Sequence, residues 1–574
     1  MRRIRLIVCV VAFAMVATTA GAFACTGMYV GKDASTDGTT IIARSEDQGS
    51  GAYNKMFKVQ KRVTKAGRYM TDINGCKVKL PTTTYKYTYV PDSSDAGDGL
   101  YPASCTNEYG VSVIGTISTG VSEAYEKQDA VVDNGLREAM LPALIASQVK
   151  TAKEAVDLLA KLTDKYGSAE WNTLLFADQK EAWIFEGYGG HTYCAYRMPS
   201  DMVAVFGNQC MIGTVDQSDT ANYVFSNGKN GSKDLFATID AAGTAVKEDG
   251  KYNIAKSVTE SSRDEYSNMR TWEGHRVLAP STTGISTYNN DYFYSLCFKP
   301  DSKVSVLDIM SLYRDRYEGT DYDMSKSENA SRRPIATTRS SDVHITQVYS
   351  NLPKDSCDLQ WLAMGNAEHS VFVPAFSGIT DTYSAYKVDG TAYKDSSAYW
   401  LFKRNCTLAE SDRAYLGQGT KDFWAAQEKS EYATVQKQLA KVTSAYGKSK
   451  TNGRAYVTSI AKTAVKNQLN NSNVLYKALL FTSTANNNDR ANNARKATFT
   501  APVKFVSQAK KAGFTVKTSG SKYILTKDAA KFTLTLNSTA IYNKDGEYTD
   551  DFIYPIYKVN GVVYAPAGFT DSLK

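Results

Sequence analysis

The sequence predicts a layered α+β sandwich followed by a small, separate α+β module. Two observations carry this. Between residues 25 and 206, short β-type runs stand before and after one helical stretch. That order fits a layered α+β sandwich better than a repeated βαβ wheel. Beyond residue 500 the pattern becomes one short helix and several short strands, after an Asn- and Thr-rich stretch.

Taken in order, the chain opens Met1-Arg2-Arg3-Ile4-Arg5, runs apolar from Leu6 to Val16, and reaches Ala22-Phe23-Ala24. These are a basic n-region, an apolar h-region and an A-x-A cleavage signal. Residues 1–24 are therefore expected to be a signal peptide, leaving Cys25 as the N-terminus of a protein that is secreted or held at the cell surface. Thr26–Gly31 and Thr39–Ala43 read as strands joined by the turn Ser35-Thr36-Asp37-Gly38, a hairpin-like start. Gly110–Gly115 is a further strand. Arg137–Val149 and Ala152–Tyr166 carry apolar residues at helical spacing: Leu141, Leu144, Ile145, then Ala155, Leu158, Leu159, Leu162. Asn172–Ala177, Glu181–Glu186, His191–Arg197 and Met202–Phe206 are short strands. Residues 424–447 and 453–481 are amphipathic helices, and Ser483–Asn493 reads as linker. In the module, Phe505–Ala512 is helical, and Tyr523–Leu525, Phe532–Leu536, Phe552–Tyr557 and Val562–Tyr564 are strands. The boundaries drawn are 25–420 for the main domain, 421–482 for a helical extension, 483–499 for a linker and 500–574 for the module.

Composition excludes several functions. A chain of 574 residues, 43% hydrophobic, has ample material for a core and for more than one domain. No second apolar stretch of spanning length follows the leader, so no transmembrane span is expected. The formal charge of +8 falls to +5 once Arg2, Arg3 and Arg5 leave, too mild for a nucleic-acid binder of this size. The nine cysteines are widely spaced with no C-x-x-C, and the four histidines (His191, His275, His344, His369) have no ligand spacing. No metal and no organic cofactor is expected. His369 in Ala367-Glu368-His369 reads as structural. Cys76–Cys105 and Cys194–Cys210 are the nearest candidates for disulfides in an exported protein.

Cys25 carries the chemistry. An N-terminal cysteine has its own base, because the free α-amine sits on the same residue as the thiol. The reference pKa values, about 7.7–8.0 for the amine and about 8.5 for the thiol, make that proton transfer nearly balanced at neutral pH. A lipid anchor on Cys25 is the alternative, although Ala22 and Phe23 stand where a lipobox prefers Leu and a small residue.

Further motifs follow: Asp37-Gly38, Ala43-Arg44-Ser45-Glu46-Asp47, Asn107-Glu108-Tyr109-Gly110-Val111, Trp183-Ile184-Phe185-Glu186, Val205-Phe206-Gly207-Asn208-Gln209, Met269-Arg270-Thr271-Trp272 and Arg333–Arg339. In these residues, across roughly 25–450, the chain resembles the C69 dipeptidase family of N-terminal-nucleophile hydrolases. The most specific parts are Cys25-Thr26 with Asp37-Gly38, the Arg44-x-x-Asp47 pair, and Val203–Gly213.

The resemblance implies a four-layer αββα sandwich with the nucleophile at the start of a central strand. It implies Cys25 as nucleophile, with Arg44 beside it favouring thiolate. Asp47 would hold the α-ammonium or a substrate amine. Asn208 would donate its amide to the tetrahedral oxyanion, Asn107 would assist it, and Arg270 would be a later active-site arginine. The expected function is an exported cysteine dipeptidase working on small peptides through a thioester. An acylase of the penicillin V or bile-salt kind shares this chemistry. A lipid-anchored surface protein without enzymatic activity is the other alternative. Relatives need not carry the leader or residues 500–574. The ending Asn560-Gly561-Val562-Val563-Tyr564-Ala565-Pro566-Ala567 resembles small modules of exported Gram-positive proteins and suggests cell-wall association. A homo-oligomer is compatible with the sequence.

Overall fold

The structure is a computed structural model that describes residues 25–48, 54–283, 287–485 and 497–573. The expected signal peptide and most of the expected linker lie outside the described residues.

Among the described residues, two antiparallel sheets face each other. The first contains β1 (Thr26–Val30), β2 (Thr40–Asp47), β10 (Val203–Phe206), β12 (Ser340–Val348), β13 (Asp358–Met364) and β14 (Val373–Phe376), in the order β10-β1-β2-β12-β13-β14. The second contains β3 (Lys58–Gln60), β4 (Tyr87–Tyr89), β5 (Ser104–Asn107), β6 (Ser112–Ser118), β7 (Asn172–Ala177), β8 (Ala182–Gly187), β9 (Tyr193–Arg197) and β11 (Tyr223–Phe225). Its order is β11-β9-β8-β7-β6-β5-β4-β3. The run of strands read from residue 172 onward therefore splits. Three stay in the second sheet, and β10 crosses to the first, where it pairs with β1 (Gly27 opposite Phe206).

Side-chain alternation in the second sheet explains the layering, because successive residues of a strand point to opposite faces. Ile114, Leu175 and Ile184 join the core shared with the first sheet. Their neighbours Val113, Leu174, Phe176, Trp183 and Phe185 pack instead with α1 (Leu141–Ala146) and α2 (Ala152–Tyr166). With both faces covered, the strands read as nearly unbroken apolar runs. On the far side, α3 (Glu265–Leu278), α4 (Ala398–Ser411) and α7 (Lys450–Ala485) cover the first sheet. The order is helices, sheet, sheet, helices: a four-layer αββα sandwich. The helices α5 (Gln418–Gln436), α6 (Leu439–Lys448) and α7 make residues 421–482 part of this outer layer.

Glycine sets how closely the sheets approach. A Cβ on Gly27 would lie 2.5 Å from Cδ1 of Ile117 and 2.6 Å from Cζ of Phe206. Gly38, at φ +72°, turns the chain between β1 and β2.

Three expectations are corrected. The helix expected over Arg137–Val149 is only Leu141–Ala146, because the backbone before it is engaged elsewhere. Glu138 N donates to Glu170 at 2.9 Å and the Ala139 carbonyl accepts from Tyr101 at 3.1 Å, while Pro142 suits a helix start. The strand expected over Phe552–Tyr557 is displaced to Tyr548–Asp551 and Tyr557–Val559. Between them Phe552 and Ile556 fill the module core, bonded to Thr539 and Asn537 outside any strand. The expected disulfides are absent: Cys76, Cys105, Cys194 and Cys210 are free, buried thiols. Cys194 lies in β9 of the second sheet, whereas Cys210 follows β10 of the first.

The module has its own core, built on Phe505, Leu525, Leu534 and Ile541. It docks onto the main body through Tyr554, Tyr557, Val559 and Tyr564, with the Tyr557 hydroxyl donating to the Lys477 carbonyl at 3.1 Å.

Candidate active site

Cys25 is fully buried at the head of β1. Two residues on, Gly27 pairs with Arg44 of β2, so Cys25, Gly27 and Arg44 share the face turned toward the second sheet. Arg44 Nη2 donates to Cys25 Sγ at 3.0 Å. Behind it runs a buried file of alternating charge. Arg44 meets Glu46 at 3.5 Å, Glu46 meets Lys55 at 2.9 Å, and Lys55 meets Asp92 at 2.7 Å. Burial works against the Arg44 charge, but Cys25 and Glu46 more than offset it and keep the guanidinium protonated. His344, opposite Arg44 on β12, is pushed by burial well below its ordinary range and stays neutral.

The thiol itself is not a ready thiolate. Burial pushes the Cys25 pKa up to about 12, and Arg44, which pulls the other way, is outweighed. The 3.0 Å contact to Arg44 therefore does not by itself ionise the sulfur. A base must take its proton.

Arg270, on α3, gathers the remaining parts. Its Nη1 donates to the Cys25 carbonyl at 2.6 Å and to Thr26 Oγ1 at 2.9 Å, and its Nη2 donates to Asn208 Oδ1 at 2.8 Å. Pinning that oxygen fixes the Asn208 amide, whose Nδ2 points back to the Ser118 carbonyl at 2.8 Å. Gly207 makes room: a Cβ there would lie 2.8 Å from Arg270 Nη2. Burial and the neighbouring Arg333 lower the Arg270 pKa to about 10, so it stays charged at neutral pH. Arg263 and Arg276, near it in sequence, are occupied by the Cys210 carbonyl and by Glu273.

Asp47, at the end of β2, accepts from Arg333, Ser340 and Ser45, and Ser45 Oγ in turn accepts from Thr26 N at 3.1 Å. Glu186 acts at one remove. It accepts the backbone N–H of Met211 (2.8 Å) and Ile212 (3.3 Å) and the Tyr188 hydroxyl (2.9 Å), tying β8 to the loop that follows Asn208.

The structure thus brings Cys25, Arg44, Asp47, Asn208 and Arg270 together. It does not bring Asn107 with them. Both of its amide hydrogens are committed, to the Ala146 and Val149 carbonyls at 2.8 Å, and its oxygen accepts from Tyr109 and Val111. With no donor left for an oxyanion, it fastens α1 to the turn between β5 and β6. Arg333, Ser45, Ser118 and Glu138 belong to the site or its edge without having stood out in sequence. Arg333 and Ser45 lay inside quoted motifs; the other two had no signal.

Among the described residues no three His, Cys, Asp or Glu side chains are grouped to hold a metal ion. What is assembled is a thiol, two guanidiniums, a fixed side-chain amide and a carboxylate, the parts of a covalent acyl-transfer site.

The comparisons make the chain a hydrolase acting on peptide bonds. The model of "Peptidase family C69" matches residues 24–428, and the chain belongs to that family. It is 32% identical over 437 residues to a probable dipeptidase B of Streptococcus pyogenes serotype M1, covering 73% of this chain and 85% of that one. It is 31% identical over 408 residues to a probable dipeptidase of Latilactobacillus sakei, covering 70% and 84%. Among solved structures, a mutant conjugated bile acid hydrolase of Clostridium perfringens is similar at 10% identity over 40% of this chain and 84% of that one, with a TM-score of 0.21. A likeness that slight carries no weight.

Proposed function

We propose that the chain is an exported dipeptidase whose nucleophile is Cys25, acting once Cys25 is the N-terminal residue. The carrying observation is the Cys25 thiol 3.0 Å from Arg44, with one arginine, Arg270, bonded both to the Cys25 carbonyl and to the Asn208 amide oxygen. The α-amine supplies the base that the buried thiol lacks. The thiol proton passes to that amine as sulfur attacks the scissile carbonyl carbon, and Asn208 Nδ2 donates to the developing oxyanion. The C–N bond breaks as the α-ammonium returns the proton to the leaving amine. This leaves a thioester on Cys25. Water then adds, its proton goes to the same amine, and the C–S bond breaks to free the acyl product as the α-ammonium returns the proton to the departing sulfur. Asp47, held by Arg333 and Ser340, places Thr26 through Ser45 and so fixes the strand that carries the nucleophile.

Export rests on the leader pattern before Cys25, and among the described residues no helix is long and apolar enough to cross a membrane. Wall association through residues 500–574 is supported by a groove of about 470 Å³ between α5, α7 and the module. It is lined by Gln427, Asn467, Gln468, Asn471 and Tyr564 together with Glu431 and Lys504, side chains suited to a polar polymer.

The test is a protein beginning at Cys25 compared with one retaining Ala24, and with Cys25→Ala. Each is assayed on free dipeptides, penicillin V and conjugated bile salts, with intact mass measured on the secreted form. Dipeptide turnover only by the form with a free N-terminal Cys25 is expected. Full activity with Ala24 retained would sink the mechanism. A diacylglyceryl mass on Cys25 would replace it with the lipid-anchor alternative.

A further inference from the structure

Glu138 is 5% exposed and stands just before α1. Its carboxylate accepts from the Tyr101 hydroxyl and from Ser118 Oγ, the latter at 3.4 Å. Ser118 closes β6, and its own carbonyl is the group that the Asn208 amide meets at 2.8 Å. One residue therefore touches both the carboxylate and the amide beside Cys25. Asn208 and Ser118 are only partly buried, whereas Cys25 and Arg44 are fully so; the site opens at this edge.

Tyr101 reaches Glu138 from an unusual backbone. Its φ is +42°, a left-handed conformation that a bulky aromatic residue seldom adopts. The Tyr101 N–H donates to the Ala139 carbonyl at 3.1 Å, and its own carbonyl accepts from Lys55 at 3.3 Å. Lys55 belongs to the charge file behind Arg44. The ring is thus aimed by the same framework that holds the site arginine. The Glu138 charge is felt at both Cys25 and Arg44.

We propose that Glu138 receives the α-ammonium of the substrate's N-terminal residue, with Tyr101 as its positioning residue. This rests on the dipeptidase function proposed above. In a dipeptide the α-nitrogen lies two bonds from the scissile carbon, about 2.5 Å away. A charged N–H···O bond adds about 2.8 Å, so the receiving carboxylate must sit within about 5 Å of the reacting carbon. Ser118 joins the two groups: its Oγ meets the Glu138 carboxylate at 3.4 Å and its carbonyl meets the proposed oxyanion donor at 2.8 Å, which puts the carboxylate on the substrate side of Asn208. One further residue at the substrate's N-terminus would carry the ammonium about 3.8 Å onward and out of reach. The arrangement thus selects for cleavage of the first peptide bond, and it discriminates against acyl groups without an amine.

The test uses Glu138→Gln and Tyr101→Phe in the mature full chain. Substrates are a free dipeptide and its N-acetyl counterpart, the latter as a competing ligand where its turnover is slow. The parent should favour the free amine. Glu138→Gln should lose roughly a hundredfold in kcat/KM on the free dipeptide, mostly through KM, since truncating one side of a buried charge pair is costly. Its handling of the N-acetyl compound should move by less than about threefold, so the preference collapses. Tyr101→Phe should shift the ratio the same way by less. Equal losses on both compounds, or an unchanged ratio, would make the pair a structural brace and overturn the proposal. If Glu138→Gln does not fold, the Tyr101→Phe ratio decides. A parent that ignores free dipeptides yet cleaves N-acyl amides would refute the dipeptidase function first, and the Glu138 assignment with it.

Discussion

Replacing Arg270 should cost activity as well as stability. Arg270→Met removes four hydrogen bonds of 2.6, 2.9, 2.8 and 3.0 Å, to the Cys25 carbonyl, Thr26, Asn208 and the Tyr266 carbonyl. Leaving such acceptors without a donor costs about 1–3 kcal/mol each. Against this, burial already works against the charge: the Arg270 pKa is lowered from 12.5 to about 10, worth about 3 kcal/mol in the other direction once the guanidinium is gone. The lost bonds outweigh this relief by about 1–9 kcal/mol, so a urea melt must first show that the variant folds. Activity has no such compensation. Asn208 loses the bond that orients its amide, and one misplaced oxyanion donor costs roughly a hundred- to a thousandfold in turnover. Arg270→Lys keeps the charge, but one ammonium does not span the four acceptors, so it should recover less than about tenfold of the loss. Urea melts paired with kcat and KM on a dipeptide decide the matter. Parent-like kcat in a folded Arg270→Met, or full rescue by lysine, would refute the reasoning.

Asn107→Ala should cost about 3 kcal/mol in a urea melt, from four lost bonds at a fully buried residue, with kcat changed less than about threefold. A large kcat loss at intact stability would return it to the site. Gly207→Ala should push the Arg270 fork out of its slot and cut turnover by at least about tenfold, because the new Cβ would lie 2.8 Å from Nη2 and 2.7 Å from the Ser267 carbonyl; parent-like kinetics would show that the slot is not tight. The Glu186 carboxyl is raised by burial to about 7, above its ordinary value. The folded state therefore holds its proton more tightly, and the stability this confers, about 3 kcal/mol, is present below about pH 4 and lost as pH rises through about 7. The gap in urea midpoint between the parent and Glu186→Gln should narrow from pH 4.5 to 8; a constant gap would contradict the shift.

Legibility followed the range of the interactions. Helix α2 could be read to its ends, because its apolar spacing and its Thr151 cap are local. The pairing of β1 with β2 was legible for the same reason: a short turn joins them. The crossing of β10 to the other sheet was not, since nothing in Val203–Phe206 states which sheet will take it. In the site, Arg44 and Asp47 lie on the strand paired with the nucleophile's own, and motif spacing found them. Asn107 misled because an Asn that opens a Gly-containing turn looks the same whether its donors face a substrate or carbonyls at and just beyond a helix end. Glu138 was hidden inside an apparent helix, and Tyr101 gave no sign of its left-handed backbone.

Strand β1 has partners on both edges, β2 from Thr26 onward and β10 from Gly27 onward. Among the described residues, the strand pairings that position Cys25 lie downstream of it, as do the Arg270 bond to its carbonyl and the Arg44 bond to its sulfur. A peptide cut away upstream of Cys25 removes none of these. Maturation would then be a change of one functional group, amide to amine, on an already assembled scaffold. A precursor of this design would be inert for lack of a base rather than for lack of shape. It would bind substrate before it could turn it over, and its activation would follow the kinetics of a single bond scission with no refolding phase behind it.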